Sequence, residues 1–259
     1  MSLTALFFDL AAHLQSPDFL VTAPHPLHPT AFTRQRKLPL PALVALLLTG
    51  MRKSVQAELD EFFAHLRQQA QLVHEVSAQA FAQARAKLSL TAIPRLNDWV
   101  VKRAEHYGFV ALWHGLRLVA ADASTVRFGL RASHVNRAAL ADQIAFGLFL
   151  PGCELMLAAS LHSVHESERQ MLFAHLDRLS RSDLLLLDRG YPCRWLVAVL
   201  NQREIPFCMR VEKSGNAGFT CVRDFPSAAD LASRSSRCGQ LIAKTSWTSS
   251  APAYLNRYV

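Results

Sequence analysis

Two aspartates carry the clearest chemical signal in this sequence. Asp122 closes the apolar run Leu118-Val119-Ala120-Ala121, and Asp188 closes Leu184-Leu185-Leu186-Leu187. An acid that directly follows a short apolar run stands at the end of a buried strand. If the sheet sets those strands side by side, the two carboxylates meet at one sheet edge. Carboxylates ~4 Å apart repel by about 4 kcal/mol at an effective dielectric near ~20, so such a pair calls for a divalent cation. Magnesium suits it, being a hard ion that takes carboxylate oxygens and keeps several waters, and two such ions ~3.5 to 4 Å apart serve phosphodiester chemistry. Taken singly, each aspartate reads equally well as a turn former or a helix cap.

Other polar groups carry less. Glu166 and Glu168 open a helical stretch, where acids in a first turn favour the macrodipole, and they are read that way rather than as ligands. His162 and His165 lack the cysteines or third ligand that a zinc site needs. Arg34, Arg36, Lys37, Arg52 and Lys53 bracket an apolar helix and are candidates for contact with a DNA backbone. There is no Gly-x4-Gly-Lys-Ser/Thr phosphate loop and no Gly-x-Ser-x-Gly elbow, so neither an ATPase nor a serine hydrolase is inferred.

The elements that would position the aspartates follow from periodicity and punctuation. Leu3 to Leu14 is a short amphipathic stretch, and the proline- and histidine-rich run Pro24 to Pro29 cannot continue a helix. Pro41 starts a helix through Leu48 that Gly50 closes, Ser54 caps Val55 to Leu66, Ser77 caps a helix through Leu88, and Ile93 to Tyr107 ends at Gly108. From there short strands alternate with helices. Leu116 to Ala121 is a strand that stops at a turn on Asp122, with Thr125 to Phe128 resuming beyond it. Phe146 to Leu150 and Glu154 to His162 flank Pro151-Gly152 as a hairpin. Glu166 to Leu179 is helical, Leu184 to Leu187 a strand, Arg194 to Gln202 helical and Phe207 to Val211 a last strand. The fold class expected is α/β, with an all-α region over residues 1–113, a mixed sheet flanked by helices over 114–213, and an irregular, serine-rich stretch over 214–259.

At this point the sequence resembles a known family. The segments Leu118 to Thr125 and Leu184 to Tyr191 are similar to the aspartate motifs of DDE transposases of the insertion-sequence-four family. Three earlier segments, Phe32 to Leu40, Ser54 to Phe63 and Ser77 to Leu88, are similar to that family's amino-terminal helical region. The resemblance implies a ribonuclease-H-like core, Asp122 and Asp188 as the first two acids of a metal-binding triad, Mg2+ or Mn2+ as cofactor, and a DNA-binding role for the helical region. It also implies water-driven cleavage at a transposon end, followed by attack of the freed 3′ hydroxyl on target DNA.

The family's third acid lies in a pattern Tyr-x2-Arg-x3-Glu-x6-Lys. Tyr254 and Arg257 match its first half, and Val259 is reached before a glutamate. With no amphipathic helix around it, that match is read as coincidence, and 214–259 as part of the insertion that precedes the third acid. The expectation is a copy shortened at its carboxyl end, which binds double-stranded DNA and does not complete transposition alone. The alternative is an inactive DNA-binding or partner-binding fragment that interferes with a full-length transposase. A homodimer is one arrangement open to it.

Composition agrees with these expectations. The chain has 259 residues, 28 basic against 20 acidic side chains and a formal charge of +8, which favours a polyanionic partner. With 51% hydrophobic residues it is too apolar for a disordered chain. The longest apolar run, Ala42 to Leu48, is far short of the roughly 20 residues that span a bilayer. Met1 to Leu14 does not read as a secretory signal. Five scattered cysteines without a Cys-x-x-Cys pair read as reduced thiols in a cytosolic protein, and the family resemblance implies a bacterial, nucleoid-associated one.

Overall fold

A computed structural model describes residues 2–34, 36–69, 71–126 and 142–210. The expectations for Arg127 and Phe128, for the serine-rich stretch with Cys221 and Cys238, and for the Tyr254 and Arg257 spacing fall outside those residues. The chain divides into two compact units, the first ending at Arg103 and the second beginning at Ala104.

The first unit is helical. Its elements are α1 (Leu3–Leu14), α2 (Pro17–Thr22), α3 (Leu40–Leu48), α4 (Val55–Leu66), α5 (Ala78–Arg85) and α6 (Ala92–His106), the last of which runs on past the division. Three of them begin at a serine whose hydroxyl takes up a free first-turn N–H: Ser16 Oγ accepts from Phe19 N at 3.2 Å, Ser54 Oγ from Ala57 N at 3.3 Å and Ser77 Oγ from Ala80 N at 3.2 Å. Helix α2 has Pro17 in its first turn and only six residues, too few to show a period in sequence. Helix α3 is apolar all round because it is shared. Leu40 and Val44 join Leu14, Phe19 and Leu96, while Leu43 and Leu46 join Leu59, Phe63 and Phe81. Gly108, at φ +72°, ends α6 in the left-handed conformation that glycine adopts without a steric cost.

The second unit carries the sheet. Its elements are β1 (Leu112–Trp113), β2 (Leu116–Val126), β3 (Gln143–Leu150), β4 (Leu155–Ser163), α7 (Glu168–Ala174), a 3-10 turn (Leu176–Arg178), β5 (Asp183–Leu187), α8 (Arg194–Gln202) and β6 (Phe207–Met209). The strand order is β4-β3-β2-β5-β6, with β1 paired to the start of β2. Strands β2, β3 and β4 are antiparallel, and β5 and β6 run parallel to β2. His114 and Gly115, both at positive φ, form the two-residue turn of the β1–β2 hairpin.

One expectation is corrected here. No turn interrupts the chain at Asp122; β2 runs through it to Val126, because β3 continues the ladder from Ala120↔Phe149 to Val126↔Gln143. A partner strand outweighs the local turn preference of aspartate, whose side chain simply points out of the pleat. The helix expected from Glu166 also begins later, at Glu168, with Ser167 as its N-cap.

The two faces of the sheet differ. Val119 and Ala121 of β2, Phe146 and Leu148 of β3 and Leu185 and Leu187 of β5 are buried on the face where α7 packs against β2 and β3. On the other face Leu118 and Leu184 are buried, with Trp113, Leu116, Leu186 and Cys208 packed partly buried around them. Side chains alternate along β2, which puts Asp122 in phase with Leu118, and Asp188 follows directly on the end of β5.

Candidate metal centre

The parallel pairing of β2 with β5 determines where the aspartates stand. Arg117 pairs with Asp183, Leu118 with Leu184, Val119 with Leu185 and Ala120 with Leu186. The pairing ends at Ala120↔Leu186; continued by two residues it would bring Asp122 level with Asp188, which are 66 residues apart as Arg117 and Asp183 are. Asp122 lies inside β2, four residues before its end, and Asp188 just beyond the end of β5. Both are exposed. Beyond Leu187 β5 gives way to a turn in which Tyr191 N donates to Asp188 O at 3.2 Å, while β2 continues beside β3. The chain leaves β2 toward β3 on one side and β5 toward β6 on the other, so the strand order reverses between the two aspartates. In open α/β sheets this is where ligands bind.

The opposite end of the same strand pair is clamped. Arg117 Nε donates to Asp183 Oδ1 at 2.6 Å and Nη2 to Oδ2 at 3.0 Å, and Arg117 also pairs with Glu105. The Asp183 side chain is 1% exposed, and its Oδ2 further accepts from Ser180 N at 2.8 Å and Ser180 Oγ at 3.1 Å. The bidentate geometry fits only when the two residues stand opposite each other. It therefore secures the register that brings Asp122 level with Asp188.

A third carboxylate, read from the sequence as a first-turn acid of its helix, stands over the turn after β5. Glu168, the first residue of α7, is half-buried, and its Oε2 lies 3.1 Å from the point a Cβ on Gly190 would occupy. Burial first, and then the charges of Asp122 and Asp188, push its carboxyl above the usual carboxylate range. Arg169 Nε donates to Gly190 O at 3.0 Å, which ties α7 to the turn after β5. Beneath lies Tyr191, buried, with a hydroxyl that has no hydrogen-bond partner among the described residues. Burial and then Glu168, Asp122 and Asp188 push that phenol up. The sequence signal for Glu168 was its place in a first helical turn, which the macrodipole explains equally well; only the fold distinguishes the two.

Glu166 has a different environment. It accepts from Ser163 N at 3.1 Å and pairs with His162 Nδ1 at 2.8 Å. His162 Nε2 meets Ser160 Oγ at 2.6 Å, and Ser160 Oγ meets His175 Nε2 at 2.7 Å. The donor and acceptor roles follow: His162 gives its Nδ1 proton to Glu166 and accepts the Ser160 hydroxyl, which in turn accepts from His175. His165 donates its backbone N–H to Ser163 Oγ and has no ligand-like environment.

The residues expected at a DNA backbone lie at the two ends of α3. Arg34, Arg36 and Lys37 precede it, Arg52 and Lys53 follow it, and all five are exposed. Lys53 is bound to Glu61, while the backbone N–H groups of Arg52 and Lys53 donate to Glu58. Arg34, Arg36, Lys37 and Arg52 form no side-chain ion pair among the described residues.

The donor set at the strand ends fits a hard divalent ion: carboxylate oxygens, exposed enough to leave room for water, with no thiolate or imidazole among them. Among the described residues no three histidine, cysteine or acidic side chains stand close enough to hold a metal ion by themselves.

Three antiparallel strands followed by two parallel ones, with α7 and α8 on the crossovers, define a ribonuclease-H-like fold preceded by helices. Among solved structures the chain is similar to piggyBac transposase in a synaptic complex with hairpin DNA, at 11% identity over 85% of this chain and 54% of that chain, with a TM-score of 0.42. It is also similar to Mos1 transposase in a paired-end complex with the left transposon end, at 13% identity over 68% of this chain and 59% of that one, with a TM-score of 0.26. A Mos1 mariner paired-end complex with Mn is similar at 12% identity over 80% and 68%, with a TM-score of 0.27. The chain thus spans about half the length of the piggyBac transposase chain. No family model and no curated protein matches it.

Proposed function

We propose that this chain is a DNA transposase of the DDE type, in which Asp122 and Asp188 hold Mg2+ or Mn2+ for phosphodiester chemistry at transposon ends. The observation that carries this reading is the parallel pairing of β2 with β5 up to Ala120↔Leu186, which when continued by two residues would bring Asp122 level with Asp188. Their motifs, Leu118 to Thr125 and Leu184 to Tyr191, support it, as does the strand order. Asp122 and Asp188 present exposed hard oxygens; the ladder with β3 holds the Asp122 backbone and the bond from Tyr191 N to Asp188 O braces the turn at Asp188, which limits reorganisation on binding. A bound divalent ion supplies charge neutralisation at phosphorus and a Lewis acid for in-line displacement. The helical residues 1–113 contribute duplex DNA contacts through Arg34, Arg36, Lys37, Arg52 and Lys53, and 114–213 form the catalytic region.

The test is Mn2+ binding measured by calorimetry on the whole chain. Asp122→Asn and Asp188→Asn are each expected to weaken binding by at least ~10-fold, since loss of even an outer partner costs that much. Binding that ignores both substitutions would overturn the reading. A second reading, a DNA-binding chain without chemistry of its own, is favoured by the lack of three converged ligands among the described residues. Under it the chain binds a transposon-end duplex and leaves both strands intact in Mg2+, and end cleavage lost in Asp122→Asn would exclude it.

A further inference from the structure

We propose that Glu168, which does not yet converge with Asp122 and Asp188 among the described residues, turns its side chain in from α7 as a third carboxylate of the same cation site when an ion binds; this rests on the reading of Asp122 and Asp188 given above. Four observations converge on it. First, Glu168 lies over the turn that carries Asp188: its Oε2 is 3.1 Å from where a Gly190 Cβ would stand, and the missing side chain at Gly190 leaves the carboxylate that space. Second, the position is held, because Arg169 Nε donates to Gly190 O at 3.0 Å and α7 packs against β2 and β3. Third, no hydrogen bond holds the Glu168 carboxylate among the described residues, while Asp122 and Asp188 act on it as like charges and only the neighbouring Arg169 opposes them. Three like charges beside one arginine still oppose each other, and a divalent ion removes that opposition.

The fourth observation is independent of the acids. Tyr191 is 1% exposed, its hydroxyl has no partner among the described residues, and the charges around it are those of Glu168, Asp122 and Asp188. A buried hydroxyl without a partner is a cost that native proteins rarely carry. Facing this group, it is a donor for a ligand oxygen or for water bound with the ion. Glu166, only two residues away, is already engaged by Ser163 and His162. The two glutamates of this turn therefore have different work, and Glu166 serves as the control.

The experiment measures Mn2+ affinity of the full chain by calorimetry for the unaltered protein, Glu168→Gln, Asp122→Asn, Asp188→Asn and Glu166→Gln. Expected is a loss of at least ~10-fold for Glu168→Gln, comparable with the two aspartate variants, and none for Glu166→Gln. Glu168→Gln also removes like-charge repulsion, so its ion-free melting temperature should hold or rise while the increase on adding Mn2+ shrinks. That pair of melts separates a lost ligand from a damaged fold. If Glu168→Gln binds as the unaltered chain does while both aspartate variants fail, the inference falls and the aspartate reading stands. If none of the three changes affinity, the aspartate reading falls and takes the inference with it.

Discussion

At the scale of single residues, two glutamates that look alike in sequence are given opposite roles by their neighbours. Glu166 is tied into the His162, Ser160 and His175 network, and its carboxyl is held below the usual range by its bonds to His162 and Ser163. Glu168 has no hydrogen bond to its carboxylate among the described residues, and burial, then the charges of Asp122 and Asp188, outweigh that of Arg169 and raise its carboxyl. The network makes its own prediction. His175 stacks on Phe146 at 5.3 Å and donates to Ser160, and burial first, then its neighbours His162 and Arg178, lower its pKa from 6.5. The folded protein therefore keeps His175 neutral where the unfolded chain would protonate it. Between the two pKa values the unfolded state binds more protons, so this contribution to stability is complete above pH 6.5 and is lost as pH falls below it. Melting temperature should drop between about pH 7.5 and about pH 5.5, and His175→Gln should show a smaller drop over that window. An equal drop in the variant would place the pH sensitivity elsewhere.

At the scale of elements, the decisive contact is between β2 and β5. Both are short apolar strands that could pair in several registers, since each presents leucine, valine or alanine at successive positions. The Arg117 and Asp183 clamp distinguishes one register from the rest, at the end of the strands remote from Asp122 and Asp188. Removing one partner leaves a buried charge alone, at a cost of about 3 to 5 kcal/mol, whereas replacing both with apolar residues of similar volume is close to neutral. Arg117→Met should therefore lower the urea midpoint sharply, and Arg117→Met with Asp183→Leu should recover most of it. The double variant should still lose Mn2+ affinity if the clamp sets the register. Full affinity in that variant would mean that packing of Leu118 and Leu184 sets the alignment unaided.

At the scale of the whole molecule, a formal charge of +8 gives the chain a general attraction for polyanions, and the helical unit offers a particular place for it. Arg34, Arg36 and Lys37 are exposed ahead of α3, whereas Lys53 beyond its other end is already paired with Glu61. The prediction is unequal contributions. The logarithm of duplex affinity should fall with the logarithm of salt by roughly 0.9 per phosphate neutralised, and glutamine at Arg34, Arg36 and Lys37 should flatten that slope. Lys53→Gln should change it less. A slope unmoved by the triple substitution would put the DNA surface on another part of the chain. No helix among the described residues is long and apolar enough to cross a membrane.

What the sequence determined on its own is what acts over a few residues. Ser54 and Ser77 cap helices as their spacing implies, Arg194–Gln202 is a helix over the expected span, and Leu184 to Leu187 is a strand that ends at an aspartate. Capping, hydrophobic period and turn chemistry are local forces, and they can be read locally. The β1–β2 hairpin was missed because Leu112–Trp113 is too short to show alternation, and the supposed break at Asp122 vanished because β3 supplies a ladder that no local signal announces. The nearness of Asp122 to Asp188 depends on pairing residues 66 apart, as Arg117 and Asp183 are paired, and that of Glu168 depends on how a crossover helix packs onto the sheet. Those are decided by topology and burial in three dimensions, so the tertiary structure alone distinguishes an acid that steadies a helix from one placed beside two others.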